Sequence, residues 1–130
     1  MSNNLTEKWI VITTINPPTP AIESVSRLCT ESDWSAVVVG DTKTQDDWQA
    51  PGIDFLSIKE QYDLFPEFAR LVPTRHYCRK NLGYLYAIRH GAKLILETDD
   101  DNIPGPDFGY IHQLEVSGDV VNAKDWVNVY

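Results

Sequence analysis

The feature that most constrains the fold is an unbroken run of apolar and β-branched residues at positions 9–14, close to the start of the chain. A run without polar alternation is typical of a strand that is buried on both faces of a sheet. Residues 34–39 have the same character, and shorter apolar runs at 53–56 and 93–97 predict two further strands. Strands of this kind need helices on both faces of their sheet.

Helical patterns separate the predicted strands. Apolar residues recur at helical spacing over residues 20–31, where a Thr-Pro pair supplies an N-cap and a first helical position. A second helix is expected from about residue 57 to 65, interrupted by Pro66, and the longest from about 75 to 90. The order strand, helix, strand, strand, helix, strand predicts an α/β fold with a mostly parallel sheet flanked by helices.

The domain organisation is simple, because the chain has neither an internal repeat nor a linker-like segment. Residues 1–130 therefore form a single predicted domain, in which we expect residues 1–7 to be flexible. The pattern weakens after Pro106, with possible strands near 116–121 and 126–130. A strand pattern that still alternates at the last residue suggests that the fold is truncated at the C-terminus.

The charge balance excludes several classes of partner. The chain has 11 Lys and Arg against 19 Asp and Glu, a formal charge of −8. This balance argues against a protein that binds nucleic acid and against a polybasic domain that binds membrane surfaces, since both require spare cations. No apolar run reaches the roughly 20 residues of a membrane span, and the N-terminus lacks the apolar core of a signal peptide. We therefore expect a soluble cytoplasmic protein.

Three consecutive aspartates, Asp99, Asp100 and Asp101, follow the strand predicted at residues 93–97. Open α/β sheets bind ligands outside the carboxyl ends of their strands. In an extended segment Asp99 and Asp101 point to the same side, and carboxylates held this close favour a bound cation. Their hard oxygen ligands suit Mg²⁺ or Mn²⁺. The alternative is a solvated acidic turn, since Asp is a common turn residue.

A local basic surface precedes the aspartates. Residues 68–96 contain no acid but hold six of the eleven basic residues, namely Arg70, Arg75, Arg79, Lys80, Arg89 and Lys93. Arg75 and Arg79 are four positions apart and share a face of the predicted helix, with Lys80 beside them. The first turns of a helix also favour an anion. A cation held by aspartates beside such a helix start suits a diphosphate, and an exposed face of solvated charges is the alternative.

Polar residues also follow the first two strands. Thr13 and Thr14 end the first, and Asp41 follows the second. In a parallel sheet both loops open on the same edge as the aspartates. An Asp there can accept a hydrogen bond from a base or from a sugar hydroxyl, although Gly-Asp-Thr is also ordinary turn chemistry.

Several stretches carry a resemblance to a known family. They include Lys80-Asn81-Leu82-Gly83, Gly91-Ala92-Lys93-Leu94-Ile95 and Asp99-Asp100-Asp101-Asn102. A basic-Asn-x-Gly helix, a Gly-Ala turn and an apolar strand that leads into an Asp-x-Asp motif resemble the nucleotide-sugar glycosyltransferases of the GT-A fold. More closely, the chain resembles the STELLO-type glycosyltransferase-like proteins, with matching segments at residues 9–24, 37–42, 68–81 and 97–104.

This resemblance implies a Rossmann-like GT-A half that binds a UDP- or GDP-sugar with Mn²⁺ or Mg²⁺. In such enzymes the Asp-x-Asp carboxylates contact the ribose and bind the metal that bridges the diphosphate. The implied metal ligands are Asp99 and Asp101, and the triple Asp leaves Asp100 possible. The implied nucleotide-sugar contacts are Thr13, Thr14 and Asp41 at the base and ribose, Arg75 and Lys80 near the diphosphate, and Asp99 and Asp100.

The sequence departs from a complete GT-A enzyme, which continues into an acceptor-binding half with a catalytic base. No residue is identified as that base, so the prediction is a glycosyltransferase, or its donor-binding part, with an unidentified glycan or other acceptor. The alternative is a catalytically inactive module that acts through protein partners, since STELLO-type proteins associate with cellulose synthase in plants. A Golgi association is expected if the chain is a fragment of a longer eukaryotic protein. A phosphohydrolase with Asp99 as nucleophile is less favoured, because its Asp-x-Asp loop normally follows the first strand.

Overall fold

The computed structural model describes residues 7–109, 117–122, 124 and 126. Within them, strands and helices follow in the predicted order. The elements are β1 (Lys8–Thr13), α1 (Pro20–Glu31), β2 (Trp34–Val39), β3 (Ile53–Leu56), α2 (Ile58–Leu64), α3 (Pro66–Leu71), a 3₁₀ turn (Tyr77–Arg79), α4 (Lys80–Arg89) and β4 (Leu94–Glu97).

The four strands form one parallel sheet in the order β3-β2-β1-β4. In its centre, Val11 of β1 lies opposite Val37 of β2 on one side and Glu97 of β4 on the other. The chain runs outward from β1 to β2 and β3, then crosses back to place β4 beside β1. This confirms the predicted parallel α/β fold, and it creates a point between β1 and β4 at which the strand order reverses.

Both faces of the sheet are covered, as the unbroken apolar runs require. On one face, Ile12 of β1 shares a core with Ile22 and Val25 of α1. On the other, Val11 shares a core with Leu82 of α4. All five side chains are essentially inaccessible to solvent. Burial of each such side chain contributes about 1.5–3 kcal/mol, so the two layers account for much of the stability of the sheet.

Gly83 allows α4 to approach the sheet closely. A Cβ atom at this position would lie 2.5 Å from Cγ1 of Val11 and 2.8 Å from Cγ2 of Val39. Real Cβ atoms essentially never make contacts this short. The glycine of the Lys-Asn-Leu-Gly motif is therefore a packing requirement between α4 and two central strands.

The longest helix begins at Lys80 rather than near residue 75, so this part of the prediction is wrong. Arg75 has a φ of 55°, in the left-handed region that helices exclude. His76 is extended, and its Nδ1 atom accepts a hydrogen bond from the Cys78 amide to start the 3₁₀ turn. The expected helical face shared by Arg75 and Arg79 does not form.

Other boundaries agree with expectation. Thr19 caps α1 and Pro20 is its first residue, while Ser57 caps α2 in a capping box with Glu60. Pro66 does interrupt the second helix, because it begins a separate one, α3. Gly91, which ends α4, has a φ of 91°, as expected for a glycine just past a helix.

The C-terminal predictions are only partly covered. Residues 117–122 contain no strand, so the strand expected near 116–121 is wrong for the residues that are described. Gly118 and Asp119 are poor strand formers, and Val120 and Val121 are largely exposed. The strand expected at 126–130 lies outside the described residues apart from Trp126, as does the flexibility expected for residues 1–7 apart from Glu7. Across the described part of the chain, no helix has the length and apolar character to cross a bilayer.

Candidate functional site

The carboxyl ends of β1, β2 and β4 open on one edge of the sheet. The connections of β1 and β4 lie on opposite sides of the sheet centre. From β1 the chain continues to β2 and β3 on one side, and it then returns to form β4 on the other side of β1. Ligands of open α/β sheets bind in the crevice outside such a reversal. The loop that joins β1 to α1 and the three aspartates after β4 flank this crevice.

Hydrogen bonds to Asp100 link the two sides of the crevice. Its Oδ2 atom accepts hydrogen bonds from Oγ1 of Thr14 at 2.6 Å and from Nδ2 of Asn16 at 3.0 Å. Its backbone carbonyl accepts a further hydrogen bond from the hydroxyl of Thr19. Thr19 also caps α1, so the middle aspartate is fixed to both the end of β1 and the start of α1.

A cleft of about 630 Å³ lies beside Asp100. Its walls come from the ends of β1 and β2 and from the loop before the 3₁₀ turn. The lining residues are Thr13, Thr14, Ile15, Asn16, Val39, Gly40, Asp41, Lys43, Arg75, His76, Tyr77, Arg79 and Asp100. We call it the main cleft. Three of its residues are Lys or Arg and two are Asp, so its lining carries a small positive charge in a chain whose net charge is −8.

Asp41 holds the loop that covers one side of the main cleft. Its Oδ1 atom accepts from the Arg75 amide at 2.9 Å, and its Oδ2 atom accepts from the His76 amide at 3.3 Å. These two amides can face one carboxylate because Arg75 adopts its left-handed conformation. For a residue other than glycine this conformation costs of order 1–3 kcal/mol, which the paired hydrogen bonds offset.

Lys80 and Asp99 lie on the other side of the aspartate segment. The Nζ atom of Lys80 is 3.2 Å from Oδ1 of Asp99, 3.3 Å from Oε1 of Glu97 and 3.4 Å from the Thr98 carbonyl. The Lys80 side chain is 9% exposed, whereas that of Asp99 is 51% exposed. The lysine and its two acids line a second, smaller cleft of about 440 Å³.

Tyr84 also belongs to the smaller cleft, because its hydroxyl donates a hydrogen bond to Oε2 of Glu97. That hydrogen bond, followed by the charge of Lys80, lowers the pKa of Glu97 below its usual 4.5. Burial, together with the same hydrogen bond, raises the pKa of Tyr84 to about 12. Both shifts favour a neutral tyrosine hydroxyl beside a charged carboxylate.

The structure divides the predicted site residues between the two clefts. Those of the main cleft are Thr13, Thr14, Asp41, Arg75 and Asp100, and those of the smaller cleft are Lys80 and Asp99. Asp101 lines neither cleft; it is exposed and has no hydrogen-bond or ion-pair partner among the described residues.

Sequence reasoning did not assign several polar residues of the main cleft to the site, among them Asn16, Lys43, His76 and Tyr77, nor Thr19, whose hydroxyl binds the Asp100 carbonyl. Two of them carried a usable signal, because Asn16 follows the Thr-Thr pair and Thr19 was already identified as a helix cap. Arg79 was grouped with the exposed basic residues, and this is wrong, because it is buried at the base of the main cleft.

The aspartate triplet supplies carboxylate oxygens, the type of donor that a hard divalent cation prefers. Among residues 7–109 and the described stretches that follow, no three His, Cys, Asp or Glu side chains converge as a complete metal site. Mg²⁺ and similar ions are commonly held by one or two carboxylates with substrate phosphates and water. Asp101, with a neighbouring aspartate, meets this smaller requirement.

Comparison with known proteins places the chain in context. No established family profile matches it. It is 34% identical over 118 residues to the probable glycosyltransferase STELLO1 of Arabidopsis thaliana and 33% identical over 115 residues to STELLO2 of the same plant. These matches cover 90% and 88% of the chain but only 15% of each relative. The chain is therefore related in sequence to a segment of the STELLO-type glycosyltransferase-like proteins, which confirms the resemblance seen in its motifs.

Proposed function

We propose that this chain is the donor-binding part of a glycosyltransferase and that its main cleft holds a nucleoside diphosphate sugar, a UDP- or GDP-sugar. One observation carries the proposal. Asp100 is fastened to Thr14 and Asn16 at the reversal between β4 and β1, and it lies beside a cleft lined by Lys43 and Arg75. A carboxylate next to the proposed metal ligand Asp101 and cations suited to phosphate thus lie at one crevice.

The walls of the main cleft suggest an orientation for the donor. Thr13, Thr14 and Asp41 present hydroxyl and carboxylate groups suited to the base and the ribose. Arg75 and Lys43 suit the diphosphate, because a guanidinium and an ammonium bind phosphate oxygens well. The nucleotide then lies across the ends of β1 and β2, with its phosphates toward the aspartates.

Mn²⁺ or Mg²⁺ is the proposed cofactor, with Asp101 as a ligand and Asp99 or Asp100 as a second. When bound, such an ion stabilises the negative charge that develops on a leaving diphosphate. Within the chain, Lys80 neutralises Asp99, and Thr14 and Asn16 orient Asp100. Asp101 is the residue left available for the ion, because no described residue binds its carboxylate.

Calorimetry of UDP and GDP, each with and without Mn²⁺, tests the proposal. We expect one nucleotide to bind more tightly with Mn²⁺, and Asp101→Ala to abolish that increase. Asp46→Ala is the matched control, since Asp46 is exposed, as Asp101 is, but belongs to the loop between β2 and β3 and not to the aspartate triplet. Unchanged Mn²⁺-dependent binding in Asp101→Ala would overturn the metal assignment, and no binding of either nucleotide would overturn the function.

A module that binds a donor without transferring its sugar is the second candidate. The contact that favours it is the ion pair between Lys80 and Asp99, because it engages one carboxylate of the Asp-x-Asp motif with an internal cation. Transfer or hydrolysis of a UDP- or GDP-sugar by this chain under Mn²⁺ would exclude the second candidate. Lys80→Met frees Asp99, and a gain of Mn²⁺ affinity in this variant would support the second candidate.

A further inference from the structure

Arg79 carries a buried positive charge that no acidic side chain neutralises within the described residues. The residue is 1% exposed, yet it lines the main cleft. A guanidinium remains protonated in proteins. A buried charge without an acidic partner is costly. Its position at the base of a cleft therefore indicates a role in ligand binding as well as in packing.

Neutral groups satisfy the hydrogen bonds of Arg79 without cancelling its charge. Its Nε and Nη2 atoms donate to Oε1 of Gln61 at 2.8 and 2.6 Å. Its Nη1 atom donates to the carbonyl of Val72 at 2.8 Å and to that of Ala69 at 3.4 Å. The guanidinium is therefore held rigidly against the end of α3 and lies 5.7 Å from the centroid of the Tyr62 ring, and among the described residues its positive charge has no acidic partner.

Gln61 extends this network to the edge of the sheet. Its Nε2 atom donates to the carbonyl of Gly40 at 2.8 Å and to that of Leu56 at 2.9 Å. Gly40 immediately precedes Asp41, and Val72 begins the segment that leads to Arg75. The network thus fixes both ends of the contact between Asp41 and the loop over the main cleft.

We propose that Arg79 is a positioning residue of the main cleft, whose buried charge raises the affinity for the phosphate part of an anionic ligand. The inference rests on the proposed function, because it assumes a nucleoside diphosphate in this cleft. A buried charge acts through a low dielectric, whereas the exposed charges of Lys43 and Arg75 are screened by salt. Arg79 therefore supplies the part of phosphate affinity that persists at high ionic strength.

The test separates this electrostatic role from a purely structural one. Calorimetry at fixed Mn²⁺, in low and in high salt, measures uridine, UDP, guanosine, GDP and inorganic pyrophosphate against wild type and four variants. Arg79→Met removes the charge and Arg79→Lys keeps it. Gln61→Glu places a carboxylate against it and also removes the two hydrogen bonds that Gln61 donates to Gly40 and Leu56. Arg27→Met removes an exposed charge from α1, outside the lining of either cleft, and is the matched control. Circular dichroism verifies that each variant is folded.

We expect Arg79→Met and Gln61→Glu to lower diphosphate and pyrophosphate affinity about tenfold, in high salt as well as low, and to change nucleoside affinity less than about twofold. Arg79→Lys should keep the wild-type ratio of diphosphate to nucleoside affinity, and Arg27→Met should change nothing. If Arg79→Met does not fold, Gln61→Glu and Arg79→Lys decide. Equal losses for nucleoside and diphosphate, or no loss, would overturn the inference.

The outcomes also separate this inference from the proposed function. If wild type binds UDP or GDP, and the charge variants lose nucleoside and diphosphate affinity equally or lose neither, the inference fails and the function stands. If wild type binds pyrophosphate but no nucleotide, the function fails, and the pyrophosphate affinities of the variants decide the role of Arg79. If wild type binds none of these ligands, both fail.

Discussion

The hydroxyl of Thr14 donates a 2.6 Å hydrogen bond to the carboxylate of Asp100, across 86 positions of sequence. Thr14 follows the last residue of β1, and Asp100 follows β4 by three positions. The bond therefore joins the loops after two adjacent parallel strands. It fixes the middle aspartate against the main cleft, whereas Asp99 and Asp101 on either side of it are exposed.

Thr14→Val should destabilise the fold. The buried hydroxyl of Thr14 donates to a charged acceptor, and loss of such a bond costs about 1–3 kcal/mol in free energy of unfolding. Urea denaturation measures the change. Thr42→Val is the control, because Thr42 is exposed and its hydroxyl has no partner among the described residues. An equal effect for the two variants would show that the bond contributes nothing to stability.

Gly83→Ala should destabilise the fold by about 1–3 kcal/mol through overpacking. The added methyl group meets Val11 and Val39 at distances that demand movement of α4 away from the sheet. The better helix propensity of alanine opposes this by up to about 1 kcal/mol. Gly105→Ala is the control, since a Cβ there meets nothing within 4 Å. A thermal melt of Gly83→Ala that matches wild type would contradict the close approach of α4.

Much of the fold could be predicted because it depends on neighbouring residues. The run at 9–14 predicts a buried strand by itself, and Thr19 with Pro20 predicts the start of α1. The meeting of Thr14, Asp41 and Asp100 at one edge followed from parallel topology, since all three come after strands that end on the same side. Local patterns were therefore sufficient for the order of the elements and for the edge of the sheet at which these three residues meet, but not for the start of α4.

The division of charged residues between interior and surface could not be predicted in the same way. Arg75 and Arg79 have the spacing of one helical face, but Arg79 finds its acceptors on Gln61, Ala69 and Val72. These acceptors belong to α2 and to the end of α3, and they are brought together only by tertiary packing. Likewise, the ion pair between Lys80 and Asp99 depends on α4 crossing beside β4, which spacing does not reveal.

Cys29 should resist alkylation in the folded protein. Burial, with a smaller contribution from the charge of Asp54, raises the pKa of its thiol to about 12. At pH 8 only about one thiol in ten thousand is then ionised, and the thiolate is the reactive form. Iodoacetamide labelling of Cys78→Ser, followed by mass spectrometry, measures Cys29 alone. Labelling should be fast in denaturant and slow without it, and equal rates would contradict the burial of this thiol.

Glu97 should make the stability of the fold depend on acidic pH. The hydrogen bond from Tyr84 and the charge of Lys80 lower its pKa in the folded state below the usual 4.5. The stabilisation is therefore fully present above the unfolded pKa and is lost as the pH falls through the folded one. Melting temperatures from about pH 3 to pH 7 should separate wild type from Glu97→Gln near neutrality, and the two curves should converge toward the acid end.

Tyr84→Phe is the second variant to measure in the same series of melting temperatures as Glu97→Gln. It removes the hydroxyl that donates to Glu97, so its melting temperatures should lose part of the same acid dependence. If the two side chains act through that bond, the double variant should be less destabilised than the sum of the two single variants. At alkaline pH the dependence is opposite, and stability falls as the pH rises. The raised pKa of Tyr84 stabilises the fold below pH 10.0, the usual pKa of tyrosine, and this contribution disappears as the pH passes about 12. Additive single effects would show that Tyr84 and Glu97 act independently.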